Sequence, residues 1–291
     1  MAYDNFIPTV WAEGINRALE RNCVFVEDCY RKYEGAVKQM GDQVTIPGIG
    51  SPTITEITID STRSNSNPTI ADAEEVEGTT TTLIIDHMAY FNYMVGDIDR
   101  AQAVNGIMDA LSDETSEKLA NKVDTFIASL AVSDNVTALY TTVPKVVSGT
   151  AGNGEKNVLD ILDEAIQKLY ENDVSTATEL VVTVSPRFFT LFKKAYIALD
   201  TNNSKMIENG KVARYGSVTV KMSNNVHKTD AGATDNIMIR TKRAIAYAQP
   251  LTHTEPYRPE KNFADAVKGF ILYGGKVVRP REIFNINVKY A

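Results

Sequence analysis

Cysteine is scarce in this sequence, which has two, Cys23 and Cys29, among 291 residues. A single pair in a chain of this length is not a disulfide framework, so we expect two free thiols in a reducing cytoplasm. Their separation fits neither a Cys-x-x-Cys redox motif nor a zinc ribbon. The scarcity of cysteine excludes the class of small proteins that depend on disulfides.

Long apolar runs are absent as well. No stretch reaches the roughly 18 apolar residues that span a membrane, and the start of the chain lacks the segments of a signal peptide. We therefore expect a soluble protein that is made in the cytoplasm and has no membrane partner.

Clusters of positive charge are also lacking. The net charge is −7 at pH 7, the pI is about 5.2, and no run of Lys and Arg could neutralise a row of phosphates. These properties argue against a protein that reads DNA sequence, and they leave enclosure of DNA as a compatible role.

Residues with the spacing of a catalytic or metal site are not found. No histidine has a second His or Cys three or four residues away, and no Gly-x-Ser-x-Gly elbow anchors a hydrolase triad. One acidic cluster lacks the pattern of a calcium loop, so we expect it to be a solvated edge that discourages wrong strand pairing. The histidines are His87, His227 and His253, and the acidic cluster is Asp72, Glu74, Glu75 and Glu77. The sequence thus predicts no catalytic, cofactor-binding or metal residue, and no enzyme.

The segment that comes nearest to a ligand motif is the glycine-rich stretch 149–157. It lies between an apolar pair and a predicted helix, as a phosphate-binding loop would. Glu155 stands where that loop needs Lys and would repel a phosphate, and Asn157 replaces the hydroxyl that binds magnesium. We expect a surface turn, and a P-loop-like nucleotide enzyme is kept as a remote alternative.

The first part of the chain predicts an arm. A helix over 8–22 is followed by strand-like pieces at 24–26 and 43–47. A helix that leads into isolated strands needs other parts of the structure to cover its apolar side.

A polar ribbon is predicted next, over residues 51–82, which are dense in Thr, Ser, Asn, Asp and Glu. Its flanks, 53–59 and 79–85, are rich in β-branched residues, and the turn-rich segment 61–68 lies between them. Such a β-hairpin has too little apolar surface to fold alone. Either it is disordered or a neighbouring molecule completes it, and the strand-forming residues on both flanks favour the second.

A long helix follows a predicted strand at 89–95. Apolar residues three and four positions apart predict a helix over 107–131, roughly 37 Å long, that acts as a strut. Its apolar face carries Met108, Leu111, Thr115, Leu119, Val123, Phe126 and Leu130, and the opposite face carries Asp109, Asp113, Glu117 and Lys118.

The rest of the chain predicts mixed α/β structure. The expected elements are a helix over 158–172, a buried strand at 180–184, a helix from Ser185-Pro186 to about Tyr196, strands near 218–222 and 237–240, and a β-rich tail over 263–289. In that tail, Gly274-Gly275 is predicted to form a tight hairpin between strands 270–273 and 276–278, before a strand at 283–288.

The order of these parts resembles the Hong Kong 97-type major capsid proteins of tailed bacteriophages. Four segments also resemble that family: FIPTVW (6–11), GDQVTIP (41–47), YFNYMVGDIDRAQ (90–102), and the stretch from FADAVKGF to YGGKVVRP (263–280). The resemblance implies an α+β fold with these parts: an N-terminal arm 1–46, an extended β-hairpin loop 47–88, a peripheral domain with the spine helix 89–136, an axial α/β domain 137–250, and a β-rich return 251–291.

The resemblance also implies a function. The chain would form hexamers and pentamers of an icosahedral shell in the virion, assembled in the host cytoplasm and enclosing double-stranded DNA without reading its sequence. The implied partners are other copies of the chain, a portal protein, a separate scaffolding protein, and decoration proteins. The separate scaffold is expected because the arm motif begins at Phe6. No isopeptide crosslink is expected, because no Lys occurs between Lys38 and Lys118.

Two alternatives to this function remain besides the nucleotide enzyme. An encapsulin-like compartment would share the fold and enclose enzymes instead of a genome. A phage decoration or tail-tube protein is usually shorter or all-β, and the predicted strut helix argues against it.

Overall fold

The computed structural model describes residues 23–33, 43–48, 53–56, 72–73, 79–96, 107–198, 212–261 and 263–290. The predicted helix over 8–22 and the predicted turn over 61–68 lie outside these residues. The described helices are α1 (Ile107–Ser129), α2 (Val158–Glu171) and α3 (Pro186–Ala198). The described strands are β1 Gln43–Gly48, β2 Thr79–Ile84, β3 His87–Gly96, β4 Thr137–Ala138, β5 Lys145–Val147, β6 Glu155–Asn157, β7 Leu180–Val184, β8 Val212–Tyr215, β9 Val218–Met222, β10 His227–Thr229, β11 Thr234–Thr241, β12 Ile245–Tyr257, β13 Ala264–Val277 and β14 Ile283–Tyr290. The predicted α+β class is confirmed.

The largest sheet of the described residues has nine strands. Its order is β6-β5-β14-β11-β7-β9-β8, with β10 beside β11 and β4 beside β14. Strand β7 lies between β11 and β9 with all five residues buried, as its short apolar sequence predicted. The hydroxyl of Ser185 caps α3 by accepting the Phe188 N–H at 3.3 Å, which confirms the predicted start of that helix. Helix α2 packs against α3 and β14, so its apolar stripe helps to close the core.

A smaller antiparallel sheet has the order β12-β13-β3. Strand β13 is continuous over 14 residues, so the predicted hairpin at Gly274-Gly275 is wrong. Both faces of the strand are tightly packed at these glycines. A Cβ added to Gly274 would lie 2.3 Å from the Ile84 carbonyl oxygen, and one added to Gly275 would lie 3.2 Å from a methyl of Ile127. The two glycines therefore allow neighbouring elements to approach the strand closely, and they do not form a turn.

Helix α1 confirms the predicted strut and lies between the two sheets. On one side the Phe126 ring meets Tyr273 of the small sheet, with ring centroids 5.4 Å apart. On the other side Asn121 accepts a 2.8 Å hydrogen bond from Asn225, which follows β9. Both sides of the helix therefore contact other parts of the fold, and its buried stripe is broader than the predicted apolar face. The buried residues on the described part of that stripe are Ser116, Leu119, Ala120, Val123, Asp124, Ile127 and Ala128.

Strands β1 and β2 form an antiparallel pair that we call the ribbon base. The predicted partner of 79–85 was 53–59, and this pairing is wrong: residues 53–56 form no strand, and 57–59 lie outside the described residues. Strand β2 pairs with residues 43–48 instead. Apolar side chains of the ribbon base and of Ile85, which follows it, are buried against β12 and β13, so the chain itself completes this part of the ribbon. The residues in this contact are Ile46, Leu83, Ile85, Ala246, Ala248 and Leu272.

Candidate functional site

The described end of the predicted arm is held by a carboxylate of α1. Instead of the predicted strand at 24–26, residues Val26–Asp28 form a 3₁₀ turn. Asp124 accepts the N–H groups of Val24 and Phe25 at 2.8 and 3.1 Å. The strand prediction was wrong because these N–H groups bond to a side chain of α1 and not to another strand.

Arg240 of β11 holds the same segment from the large sheet. Its side chain has no exposed surface, and its guanidinium donates to the carbonyl oxygens of Phe25 and Asp28 at 2.8 and 2.6 Å. Lys221 of β9 forms ion pairs of 2.7 Å with Asp28 and Glu27. The segment is thereby fastened to the sheet and to the long helix at once.

The electrostatics of this cluster suit a structural contact. Burial raises the pKa of Asp124 to about 6, against the opposite effects of its hydrogen bonds from the arm and of the Arg240 charge. Burial also raises the pKa of the Cys29 thiol, so the thiol stays protonated and unreactive. Burial alone would lower the pKa of Lys221, but its hydrogen bonds to the two acidic residues of the arm raise it above its usual value. Both cysteines are free thiols, as expected.

Neither Asp124 nor Arg240 was among the residues predicted from the sequence. The feature of the sequence that could have identified them is a charged residue within an apolar pattern. Arg240 follows directly on the buried residues 237–239 of β11. Asp124 lies four residues after Ala120 on the buried stripe of α1. A charged residue at such a position is buried only when it is paired.

The face of the small sheet that points away from α1 is partly uncovered. On β3, Met88, Tyr90 and Met94 are 50%, 74% and 58% exposed. Tyr90 lies opposite Phe270 of β13, and Met88 lies opposite Leu272. The ribbon base covers Leu272 and touches Phe270, so one continuous face is covered at one end and open at the other. We call Met88, Tyr90, Met94 and Phe270 the open sheet face, and an exposed apolar surface of this kind is typical of an interaction site.

Two further apolar side chains lie outside the core. Phe263, in the connection between β12 and β13, is 88% exposed, and Ile54, beyond the ribbon base, is 92% exposed. An aromatic side chain at the end of a long hairpin is well placed to enter a pocket on another molecule. Of the predicted acidic cluster, Asp72 is exposed, and the other three residues lie outside the described part of the chain.

The glycine-rich segment 149–157 uses its own side chains where a phosphate would bind. The Glu155 carboxylate accepts the Gly152 N–H at 2.9 Å. Asn157 caps α2 by accepting the Leu159 N–H at 3.0 Å, and its amide donates to the Gly149 carbonyl at 3.0 Å. One backbone N–H of this segment and the Asn157 side chain are therefore already engaged within the chain, which argues against the nucleotide-enzyme alternative.

Two of the three histidines make ring contacts, and the third, His227, lies in β10 opposite Asn236. His87 lies 4.2 Å from the Phe126 ring and 5.6 Å from the Tyr273 ring, and His253 lies 5.8 Å from Phe270. Among the residues that the structure describes, no three His, Cys, Asp or Glu side chains come together as metal ligands. Within the same ranges, no helix has the length and apolar character needed to cross a bilayer.

Comparisons with known proteins agree with this architecture. A family model described as phage capsid protein matches residues 97–286. A solved structure from Mycobacterium phage Che8 is similar, with 26% identity, coverage of 91% of this chain and 90% of that chain, and a TM-score of 0.65. The capsid structure of cyanophage P-SCSP1u is similar at 14% identity, with 92% and 89% coverage and a TM-score of 0.67. A virus-like particle from Pyrococcus furiosus is similar at 9% identity, with 97% and 99% coverage and a TM-score of 0.58. No curated protein sequence matches.

The family match covers more than half of the chain, including α1 and most of the large sheet. The two structures of lower identity support the fold alone. The chain therefore belongs to the phage capsid protein family, whose members are shell subunits rather than enzymes.

Proposed function

We propose that this chain forms the hexamers and pentamers of an icosahedral phage head that encloses double-stranded DNA. The observation that carries the proposal is the open sheet face, a continuation of the surface on which the ribbon base already lies. In a single molecule, half or more of the surface of Met88, Tyr90 and Met94 is exposed to water. Burial of these side chains against a second copy removes apolar surface from water and drives association.

The ribbon of the adjoining copy is the proposed occupant of the open sheet face. The ribbon base shows that strands of this sequence fit that sheet, because Ile46 and Leu83 are buried on it. The chain beyond the ribbon base includes Ile54, which is nearly fully exposed in the single molecule. Each subunit thus offers both a ribbon and a surface that can receive one, which is the head-to-tail arrangement that closes rings.

The charge of the chain fits the proposed contents of the shell. A net charge of −7 does not favour tight binding of the DNA backbone, so packaged DNA stays free to enter and leave. We further propose the virion as the location and a portal protein, a scaffolding protein and decoration proteins as partners, on the basis of the family. The division into arm, ribbon, peripheral and axial parts is also proposed on the basis of the family. Strand β12 runs through position 250, the proposed end of the axial part, so that boundary falls inside a strand.

Electron microscopy of the purified chain tests the proposal. Expression of the wild type, with and without the scaffolding gene of the same phage, is expected to yield closed icosahedral particles under negative stain. Deletion of residues 55–78 is expected to leave a soluble, folded subunit that forms no stable shell. Normal shells from the deletion would contradict the proposed role of the ribbon, and a wild type without any closed particle would contradict the shell function.

The open sheet face is tested separately. The double variant Met88→Ser/Tyr90→Ser removes two of its apolar side chains and is expected to reduce the yield of closed shells by roughly tenfold or more, as for loss of a central contact. Val132→Ser is the matched control, because Val132 is also an exposed apolar residue, 46% exposed, but lies after α1 and away from this face. Equal yields from the double variant and the control would contradict the proposed surface.

The contents of the particles distinguish a phage head from a compartment for enzymes. Particles from phage-infected cells are expected to contain double-stranded DNA that resists added nuclease until the shell is opened. Particles that hold a folded enzyme and no genome would favour the encapsulin-like alternative.

A further inference from the structure

The ribbon base crosses the small sheet at one defined place. Strand β2 ends at Ile84, and the chain passes through Ile85 and Asp86 into β3, whose first residue, His87, pairs with Tyr273 of β13. The next residue of β13 is Gly274, and it lies directly under this crossing. The end of the ribbon base therefore meets the small sheet at Gly274.

Gly274 allows backbone to lie on backbone at the crossing. A Cβ at this position would lie 2.3 Å from the carbonyl oxygen of Ile84 and 3.1 Å from the Cα of Ile85. Both are main-chain atoms, so a side chain at position 274 can be accommodated only if β2 moves away from the sheet or β13 moves beneath it. The absence of a side chain sets the height of the ribbon above the sheet.

Lys276 makes a second contact with the same strand. It lies two residues beyond Gly274, hence on the same face of β13, and its ammonium group donates to the Thr82 carbonyl oxygen at 3.1 Å. Thr82 lies two residues before Ile84 on β2. Two contacts at different positions along β2 fix its angle as well as its height.

A small change in this angle has a large effect away from the crossing. Thr79, at the start of β2, lies five residues from Ile84, or roughly 16 Å at the rise of a strand. A tilt of about 10° moves Thr79 by about 3 Å, which is enough to break a side-chain contact made within about 4 Å. Contacts between subunits that depend on the ribbon are therefore sensitive to the crossing.

We infer that Gly274 and Lys276 are positioning residues that set the direction in which the ribbon leaves the subunit and, through it, the size and closure of the shell. The inference rests on the proposed shell function and deepens it, because it assigns control of the direction of the ribbon to two residues of the subunit's own small sheet. The apolar contacts of Leu83 and Ile85 supply the affinity of ribbon base for sheet, and Gly274 and Lys276 supply its orientation.

Three single variants test the inference. Gly274→Ala adds the clashing Cβ, and Lys276→Met keeps an unbranched side chain but removes the ammonium donor. Gly275→Ala is the matched control. Its Cβ points to the opposite face of β13 and meets the ends of the Ile127 and Phe126 side chains at 3.2 Å, which can shift. The nearest main-chain atom is the Ala246 carbonyl oxygen at 3.6 Å, which is an ordinary van der Waals contact.

Two measurements are made on each variant. Hydrogen exchange of the unassembled subunit reports the ribbon base, with β7 as an internal standard for the intact fold. Gly274→Ala is expected to raise exchange in 43–48 and 79–84 by roughly tenfold or more and to leave β7 unchanged. Cryo-electron microscopy of assembly reactions is expected to show open, aberrant or differently sized particles for Gly274→Ala and Lys276→Met, and wild-type particles for Gly275→Ala.

The outcomes separate this inference from the proposed function. Absence of closed particles from the wild type contradicts the shell function itself. Wild-type particles together with Gly274→Ala or Lys276→Met particles of the same diameter and yield contradict the inference and leave the shell function intact. If Gly274→Ala loses the protection of β7 and so fails to fold, Lys276→Met decides: altered particles support the inference, and unaltered particles overturn it.

Discussion

Arg240 and Asp124 hold one residue, Phe25, from opposite sides. The Arg240 guanidinium donates to the Phe25 carbonyl oxygen, and the Asp124 carboxylate accepts the Phe25 N–H. Arg240 belongs to the large sheet and Asp124 to the long helix, so the backbone of the arm joins two parts of the fold. The ribbon base and the described end of the arm are thus both anchored within the single chain, without contacts to another subunit.

Loss of the Arg240 guanidinium is expected to be costly. Arg240→Met removes the donor to the Asp28 carbonyl oxygen and one of the donors to the Phe25 carbonyl oxygen, and it leaves Asp124 without its nearby positive charge, so the free energy of unfolding should fall by about 3–5 kcal/mol. Urea denaturation of the unassembled subunit measures this change. Arg243→Met is the control: Arg243 is half exposed and pairs with Glu282 at 3.5 Å, so its loss should cost below about 1 kcal/mol. Similar costs for the two variants would show that Arg240 does not carry the contact.

The raised pKa of Asp124 predicts how the stability of the subunit depends on pH. The pKa is about 6 in the folded chain and about 3.8 in an unfolded one, so the folded state binds the proton more tightly. The stabilisation from this proton is fully present below pH 3.8 and is lost as the pH rises through 6. Its size is on the order of 2–3 kcal/mol.

Asp124→Asn isolates that dependence, because asparagine does not titrate. The difference in unfolding free energy, wild type minus Asp124→Asn, is expected to fall as the pH rises from 4 to 7 and to level off above about pH 7. Urea denaturation of both proteins at matched pH values provides the measurement. A difference that stays constant or grows over this interval would show that burial does not raise the pKa of Asp124.

Elements with a strong local signal were predictable from the sequence. Helix α1 follows from apolar residues at helical spacing, and β7 follows from a short apolar run between polar residues. The start of α3 follows from Ser185-Pro186, because capping is a local interaction. In these cases the residues that fix the structure are neighbours in the chain.

The remaining features depend on contacts between distant residues. Gly274-Gly275 has the sequence of a turn, and what keeps it in a strand is β2 on one face and α1 on the other. The partner of β2 proved to be 43–48, since the pairing of strands with similar β-branched composition is decided by the sheet beneath them. Asp124 was overlooked because its partners on the arm are about 100 residues away.

The turn before α2 yields a test of the cap. Asn157→Ala removes the acceptor of the Leu159 N–H and the donor to Gly149, so the subunit should lose about 1 kcal/mol of stability. Asn153→Ala in the same exposed turn is the control and should change stability by less than about 0.5 kcal/mol. Urea denaturation compares the stabilities of the two variants.

The nucleotide-enzyme alternative has its own test. The wild-type protein, titrated with ATP and magnesium in a calorimeter, is expected to release no heat of binding, and saturable binding would support that alternative.

The sequence of the ribbon predicts a shell without covalent links between subunits. An isopeptide bond needs a lysine amine, and no Lys lies between Lys38 and Lys118, the range that holds the whole ribbon. Assembled shells boiled in detergent should therefore run as a single band at 32.0 kDa. The same shells treated first with an amine-reactive crosslinker should give a ladder, which shows that linked subunits would be detected. A ladder from untreated shells would mean that a lysine outside the ribbon reaches a neighbouring subunit, and the contacts between subunits would then have to include that lysine.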